Sequence, residues 1–225
     1  IVNDVIAGVP VAVTYCPLCN AAIVFDRRLD GRTLEFGTTG KLRKSDLVMY
    51  DRQTESWWQQ FLGEAIVGEL IGSRLEMLAS RIVSWEAFLA EHPGAPVLVP
   101  NDDSLRDYGR NPYIGYDSSA RPFLYKGELP EGIPAMASVV AVGAEGWSLE
   151  RPRAKGRIER GGLVLTWQEG AASALDTSAI EKGREIGNVT VQRRGAGGEL
   201  EDVVYDLTFA FVFHAFRPEG TLHTE

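Results

Sequence analysis

Short runs in which apolar and polar residues alternate, broken by turn dipeptides, constrain this chain more than any other feature. Residues 9–15 alternate around Val11 and Val13, with Pro10 near the start, where a missing N–H matters least. Residues 21–28 alternate in the same way, Asp30-Gly31 is a turn, and residues 33–36 run back, which predicts a β-hairpin over 21–36. Residues 46–50, the Trp57-Trp58 pair and residues 65–69 continue the pattern. In the second half, Gly161-Gly162 marks a turn, and residues 163–167, 189–194 and 203–212 read as strands. Residues 97–99 read as a short extended segment. One helix is expected: Ser84 can cap it, Trp85, Phe88 and Leu89 have helical spacing, and His92-Pro93-Gly94 stops it.

The fold class that follows is mainly β, a β-rich α+β chain of antiparallel strands with few short helices. Residues 100–127 are rich in Asp, Gly, Pro and Tyr and read as a long irregular excursion. A new β-rich region begins after Leu129-Pro130. This predicts a cysteine-bearing unit at 1–127 and a second β-rich unit at 128–225. The second unit echoes the first weakly. Residues 11–15 align with 163–167, residues 23–28 with 189–194, and each copy has a Gly-bearing turn after its Arg pair. Two degenerate repeats and a chance likeness of two hairpins are both open readings, and Gln168 stands where the second copy would need Cys16.

Composition excludes several classes. With 225 residues, 44% of them hydrophobic, the chain can form a core, which a disordered chain cannot. A net charge of -8 repels polyphosphate backbones and anionic membrane surfaces, so nucleic acid is not an expected partner. No segment nears the roughly 20 apolar residues of a membrane-spanning helix. The most apolar run, residues 207–216, is short and contains His214. The chain opens on Ile1-Val2-Asn3-Asp4 with neither an initiator Met nor a signal peptide, so a missing upstream segment is expected.

The chemistry-bearing motif is Tyr15-Cys16-Pro17-Leu18-Cys19-Asn20, which holds both cysteines of the chain. Three readings of it are open. The pair can be a dithiol or disulfide that carries electrons, with Cys16 and Cys19 as its catalytic residues. It can be half of a copper or zinc site, with a histidine (His92, His214 or His223), an acid or Met49 completing the ligands. It can be a buried structural turn. A thioredoxin fold does not fit, because it needs a helix after the first cysteine, where this chain has a strand pattern. The segment from Lys44 to Gln60 sets Asp51, Arg52, Thr54 and Ser56 beside Trp57 and Trp58. These side chains can close a turn among themselves or, with Tyr15 and Asn20, wall a binding pocket for a cofactor or ligand. The run from Asp107 to Tyr113 is similarly dense in polar and aromatic groups.

The Tyr15–Asn20 motif, the Leu47-Val48-Met49-Tyr50-Asp51-Arg52-x-Thr54-x-Ser56 stretch with its tryptophans, and Arg106-Asp107-Tyr108-Gly109-x-Asn111-Pro112-Tyr113 together resemble a bacterial and archaeal family catalogued only as a domain of unknown function. The resemblance covers nearly the whole chain and is strongest over 1–127. It implies an extracytoplasmic location, periplasmic, secreted or lipid-anchored, and a further upstream segment. It brings no established activity. The lead expectation is an exported domain whose Cys16/Cys19 site acts in thiol redox or in handling a copper or zinc ion. The alternative is a non-catalytic binding or scaffold module with a partner in the cell envelope.

Overall fold

Alternation becomes pairing throughout the computed structural model, which describes residues 1–224. The protein is mainly β, with three α-helices of six or seven residues among the described residues. It divides into two compact units, each discontinuous in sequence. The first comprises Ile1–Ser80, Ala120–Arg151 and Asp202–Glu225, and the second Arg81–Ser119 and Pro152–Glu201.

In the first unit, the strand Val9–Cys16 is central to a four-stranded sheet. It pairs antiparallel with Val2–Ile6 and with Ala21–Asp26, and the last of these also pairs with Met77–Leu78. Period two places Ala12, Thr14 and Cys16 inward, while Val13 and Tyr15 are each 37% exposed. A second sheet runs Phe36–Arg43, Asp46–Asp51, Trp57–Gln59 and Glu64–Val67, all antiparallel neighbours. A third orders Asp206–Phe209, Ser138–Val142, Glu145–Ser148 and Thr221–His223, the last pair parallel. Phe25, Phe36, Trp58, Phe61, Phe209 and Phe211 are each at most 1% exposed in this unit's core. The Asp30-Gly31 turn forms as expected, with positive φ at both residues, but it joins only the two-residue strands Arg28–Leu29 and Arg32–Thr33.

The second unit holds a four-stranded sheet of Arg157–Arg160, Leu163–Gln168, Asn188–Arg194 and Leu200–Asp202, whose last strand ends one residue past the unit boundary. Its helix, Trp85–Glu91, begins where the sequence predicts: the Ser84 hydroxyl accepts the Ala87 N–H at 3.2 Å, and His92 ends it. Residues 100–127 contain no strand or α-helix; they hold single 3-10 turns at Asp103–Leu105 and Tyr116–Ser118 and an isolated antiparallel bridge from Arg110 to Ala179.

Residues 97–99 belong to no strand or helix. One expectation is corrected: the strand expected over 203–212 spans only Asp206–Phe209, and a helix, Ala210–Phe216, follows. That run is apolar at nearly every position and carries no period to read. The helix buries Ala210, Phe211, Val212, Phe213, Ala215 and Phe216, and a helix apolar on all sides belongs in a core.

Candidate functional site

Cys16 ends the strand Val9–Cys16, and Ala21, its cross-strand partner, opens the next. The four residues between them make two successive turns. Cys19 N–H donates to Cys16 O (3.1 Å) and Asn20 N–H to Pro17 O (3.2 Å). Asn20 takes a left-handed φ of 50°, a conformation that asparagine tolerates better than most residues. The Tyr15 hydroxyl donates to Asn20 Oδ1 at 3.1 Å across the turn. A clamp closes it from the strand Asp206–Phe209: the Thr208 hydroxyl donates to Cys19 O at 2.7 Å, and Phe209 N–H to the same oxygen at 3.3 Å.

The turn delivers both sulfurs to the interior, Cys16 2% and Cys19 0% exposed, and both cysteines are free thiols. There they meet Asp46, which is fully buried. One ligand atom from each of Cys16, Cys19 and Asp46 lies within 4.8 Å of the other two. Cys19 Sγ donates to Asp46 Oδ1 at 3.2 Å. Asp46 Oδ2 accepts the Phe61 N–H at 2.9 Å and the Gln59 side-chain amide. One carboxylate oxygen is thus held by protein donors and the other faces the sulfurs.

Local backbone strain places Asp46. It follows a two-residue hairpin turn in which Lys44 (φ 54°) and Ser45 (φ 67°) are both left-handed, and Arg43 pairs with Asp46. Such turns ordinarily use Asn and Gly, because other side chains are strained there. Side-chain bonds hold these residues in place. Lys44 Nζ donates to Ala215 O at 2.6 Å, and the Ser45 hydroxyl donates to Phe123 O. Burial pushes the Cys19 thiol well above its ordinary range, and the nearby Cys16 and Asp46 add to the shift. Burial also raises Asp46, against the opposing pull of the Phe61 and Gln59 donors. With no cation beside it, Cys19 is thus a buried thiol whose surroundings favour its protonated form.

Two more groups surround the cluster. Gln60 is fully buried, and its Nε2 donates to Thr14 Oγ1 (2.9 Å) and Ala21 O (3.3 Å), tying the cysteine hairpin to the strand end beside Asp46. Its Oε1 has no partner. Ala21 O can only accept, so the amide nitrogen must face it, and the orphaned oxygen cannot be removed by flipping the group. Asp206, partly buried two residues before Thr208, is pushed by burial up to about 7, with Arg217 pulling down and Asp46 adding to the rise. Its folded pKa thus lies above the unfolded value near 3.8. Between the two, the folded state binds more protons, so stability is full below about pH 4 and is lost as pH rises towards 7. At pH 8 the loss is on the order of 2–4 kcal/mol after allowance for partial solvation. Asp206→Asn should flatten this slope and raise the denaturation midpoint at pH 8 but not at pH 4. An unchanged slope between pH 4 and 8 would assign the dependence to another group.

The remaining predicted site residues are placed differently. Asp51, Thr54 and Ser56 form a network of their own. Asp51 Oδ1 accepts the Thr54 N–H at 2.6 Å, both its oxygens accept the Thr54 hydroxyl at 2.9 Å, and Oδ2 accepts the Trp58 indole N–H at 2.9 Å. Thr54 and Ser56 hydroxyls lie 2.8 Å apart. No hydrogen bond of these three reaches a cysteine among the described residues. Arg52 bonds outward to Glu35 and the Tyr50 hydroxyl, and Trp57 lies under Lys41 Nζ, 5.5 Å away. None of the three histidines joins the Cys16–Cys19–Asp46 cluster among the described residues. Sequence reasoning missed Asp46, Gln59 and Gln60. The available signal was an acid and an amide pair at the ends of apolar strand patterns, where a polar side chain turned inward needs a partner.

No curated protein and no solved structure matches the chain. The family model described as "Protein of unknown function (DUF3179)" matches residues 1–220.

Proposed function

Because the chain belongs to the DUF3179 family, whose description assigns no activity, the reading must come from the site, and we propose that this is a metal-binding domain holding a zinc-class ion through Cys16 Sγ, Cys19 Sγ and Asp46 Oδ1. The observation that carries it is the convergence of these three ligand atoms in the core, with Asp46 Oδ2 already held by Gln59 and Phe61. Donors behind a ligating carboxylate orient it and are typical of metal sites. Two sulfurs select soft or borderline ions, and the carboxylate oxygen tilts the set from copper(I) towards zinc. Three protein ligands leave a fourth position for water or substrate. A cation also accounts for burying three groups that are otherwise costly to charge.

The thiol-redox reading is weaker. A disulfide carrier needs an accessible, acidified sulfur, whereas both cysteines here are buried and the surroundings of Cys19 favour its protonated form.

The deciding experiment is elemental analysis of the protein purified without chelator and after incubation with zinc(II) or copper(I) under reductant. About one equivalent of zinc is expected, and a Cys16→Ser/Cys19→Ser variant should lose it. Failure of the reduced protein to retain either ion would sink the proposal. A reduction potential well below about −300 mV with no retained metal would instead mark the pair as a structural bridge.

A further inference from the structure

The second unit contains a cavity of about 460 Å³ between the helix Trp85–Glu91 and one face of its sheet. Strand alternation puts Thr166 and Gln168 on this face, opposite to Leu165 and Trp167. The antiparallel register sets Thr190 across from Thr166 and Asn188 across from Gln168, with Gln192 further along the same face. A sheet face under a helix is ordinarily apolar, whereas this one is built of hydroxyls and amides. The helix presents Ala87 and Ala90 to the cavity, side chains too short to fill it. Its first turn is fixed over the strand because Asn188 Oδ1 accepts the Ser84 N–H at 2.7 Å.

Three of these groups have no protein partner. The hydroxyls of Thr166 and Thr190 and the amide of Gln168 make no hydrogen bond among the described residues. The charges lining the cavity are Arg81 and Glu91, and they pair with each other at 2.9 Å. A charged ligand would therefore meet no uncompensated counter-charge. An apolar ligand would leave the hydroxyls and amides desolvated and without partners, which is costly. What fits is a neutral molecule carrying several groups that both donate and accept. The volume lies within the range of small-molecule sites. No aromatic ring lines the cavity, so recognition would run through hydrogen bonds rather than stacking.

We propose that this cavity is a binding site for a neutral polyhydroxylated ligand of mono- or disaccharide size. The proposal stands independently of the Cys16–Cys19–Asp46 site, which lies in the other unit.

The test is saturation-transfer NMR and calorimetry on the whole chain with glucose, N-acetylglucosamine, maltose and cellobiose, using inorganic phosphate and benzene as charged and apolar controls. Saturable binding of at least one sugar is expected, weakened tenfold or more in Thr190→Val and in Gln168→Ala. Both variants are chosen to leave the fold intact, and an unchanged melting temperature checks this. If either variant proves unfolded, Thr166→Val replaces it and must show the same loss. Absence of saturable binding by all four sugars, tighter binding of phosphate or benzene, or sugar binding indifferent to these substitutions overturns the proposal.

Discussion

Trp58→Ala should destabilise the protein by about 3–5 kcal/mol, as expected for emptying a large, fully buried aromatic site. Trp58 is 0% exposed and lies in the middle of its sheet, paired with Met49 on one side and Ala65 on the other. Its ring meets Phe36 edge to face, with centroids 5.7 Å apart at 86°. Its indole N–H also donates to Asp51 Oδ2, and Asp51 is itself fully buried. Truncation therefore creates a cavity and removes a donor from a buried carboxylate. Trp58→Phe retains most of the apolar area, leaves a smaller cavity and loses the donor, so it should cost less, about 1–3 kcal/mol. Denaturant unfolding with matched m-values measures both. Equal losses for the two variants would mean that the hydrogen bond, not the packing, carries the position.

Asp46→Ala should cost about 2–5 kcal/mol, because the Phe61 N–H and the Gln59 amide both lose their acceptor in a dry interior. Asp46→Asn should cost much less. It keeps one side-chain oxygen for these donors and removes a charge that burial opposes, as the raised Asp46 carboxyl indicates. The two variants should nevertheless lose bound metal alike, since the atom facing Cys19 Sγ is no longer an anionic oxygen. Unfolding free energy and metal content measured on the same samples separate the structural role of Asp46 from its ligand role. An Asp46→Asn protein that retains a full equivalent of zinc would remove Asp46 from the ligand set.

The legible parts of the fold were those with a period. The strand patterns at residues 9–15 and 21–28 became the cysteine hairpin, and the capped helix after Ser84 formed where its spacing placed it. The helix Ala210–Phe216 was illegible because a segment buried on every side has no polar face to betray its period. The Asp51 network follows the same logic in reverse. Asp51, Thr54 and Ser56 are near neighbours in sequence, and the closed turn they make was one of the two readings open from local chemistry.

The Asp46 contact could not be read in this way. Asp46 is 27 residues from Cys19, and it reaches the sulfur only because two hairpins pack together. Its position depends on the left-handed Lys44-Ser45 turn and on bonds from those residues to Ala215 and Phe123. The clamp on Cys19 O spans 189 residues.

By itself, the sequence determined the β class, the one capped helix and the cysteine pair as the place where chemistry could occur. These rest on local periodicity and spacing, which a single segment carries. The tertiary structure alone decided that the pair is buried, that its third neighbour is Asp46 rather than a histidine, and that a polar cavity opens under the Trp85–Glu91 helix. Each of these depends on which distant side chains turn inward together, and only the packed chain settles that.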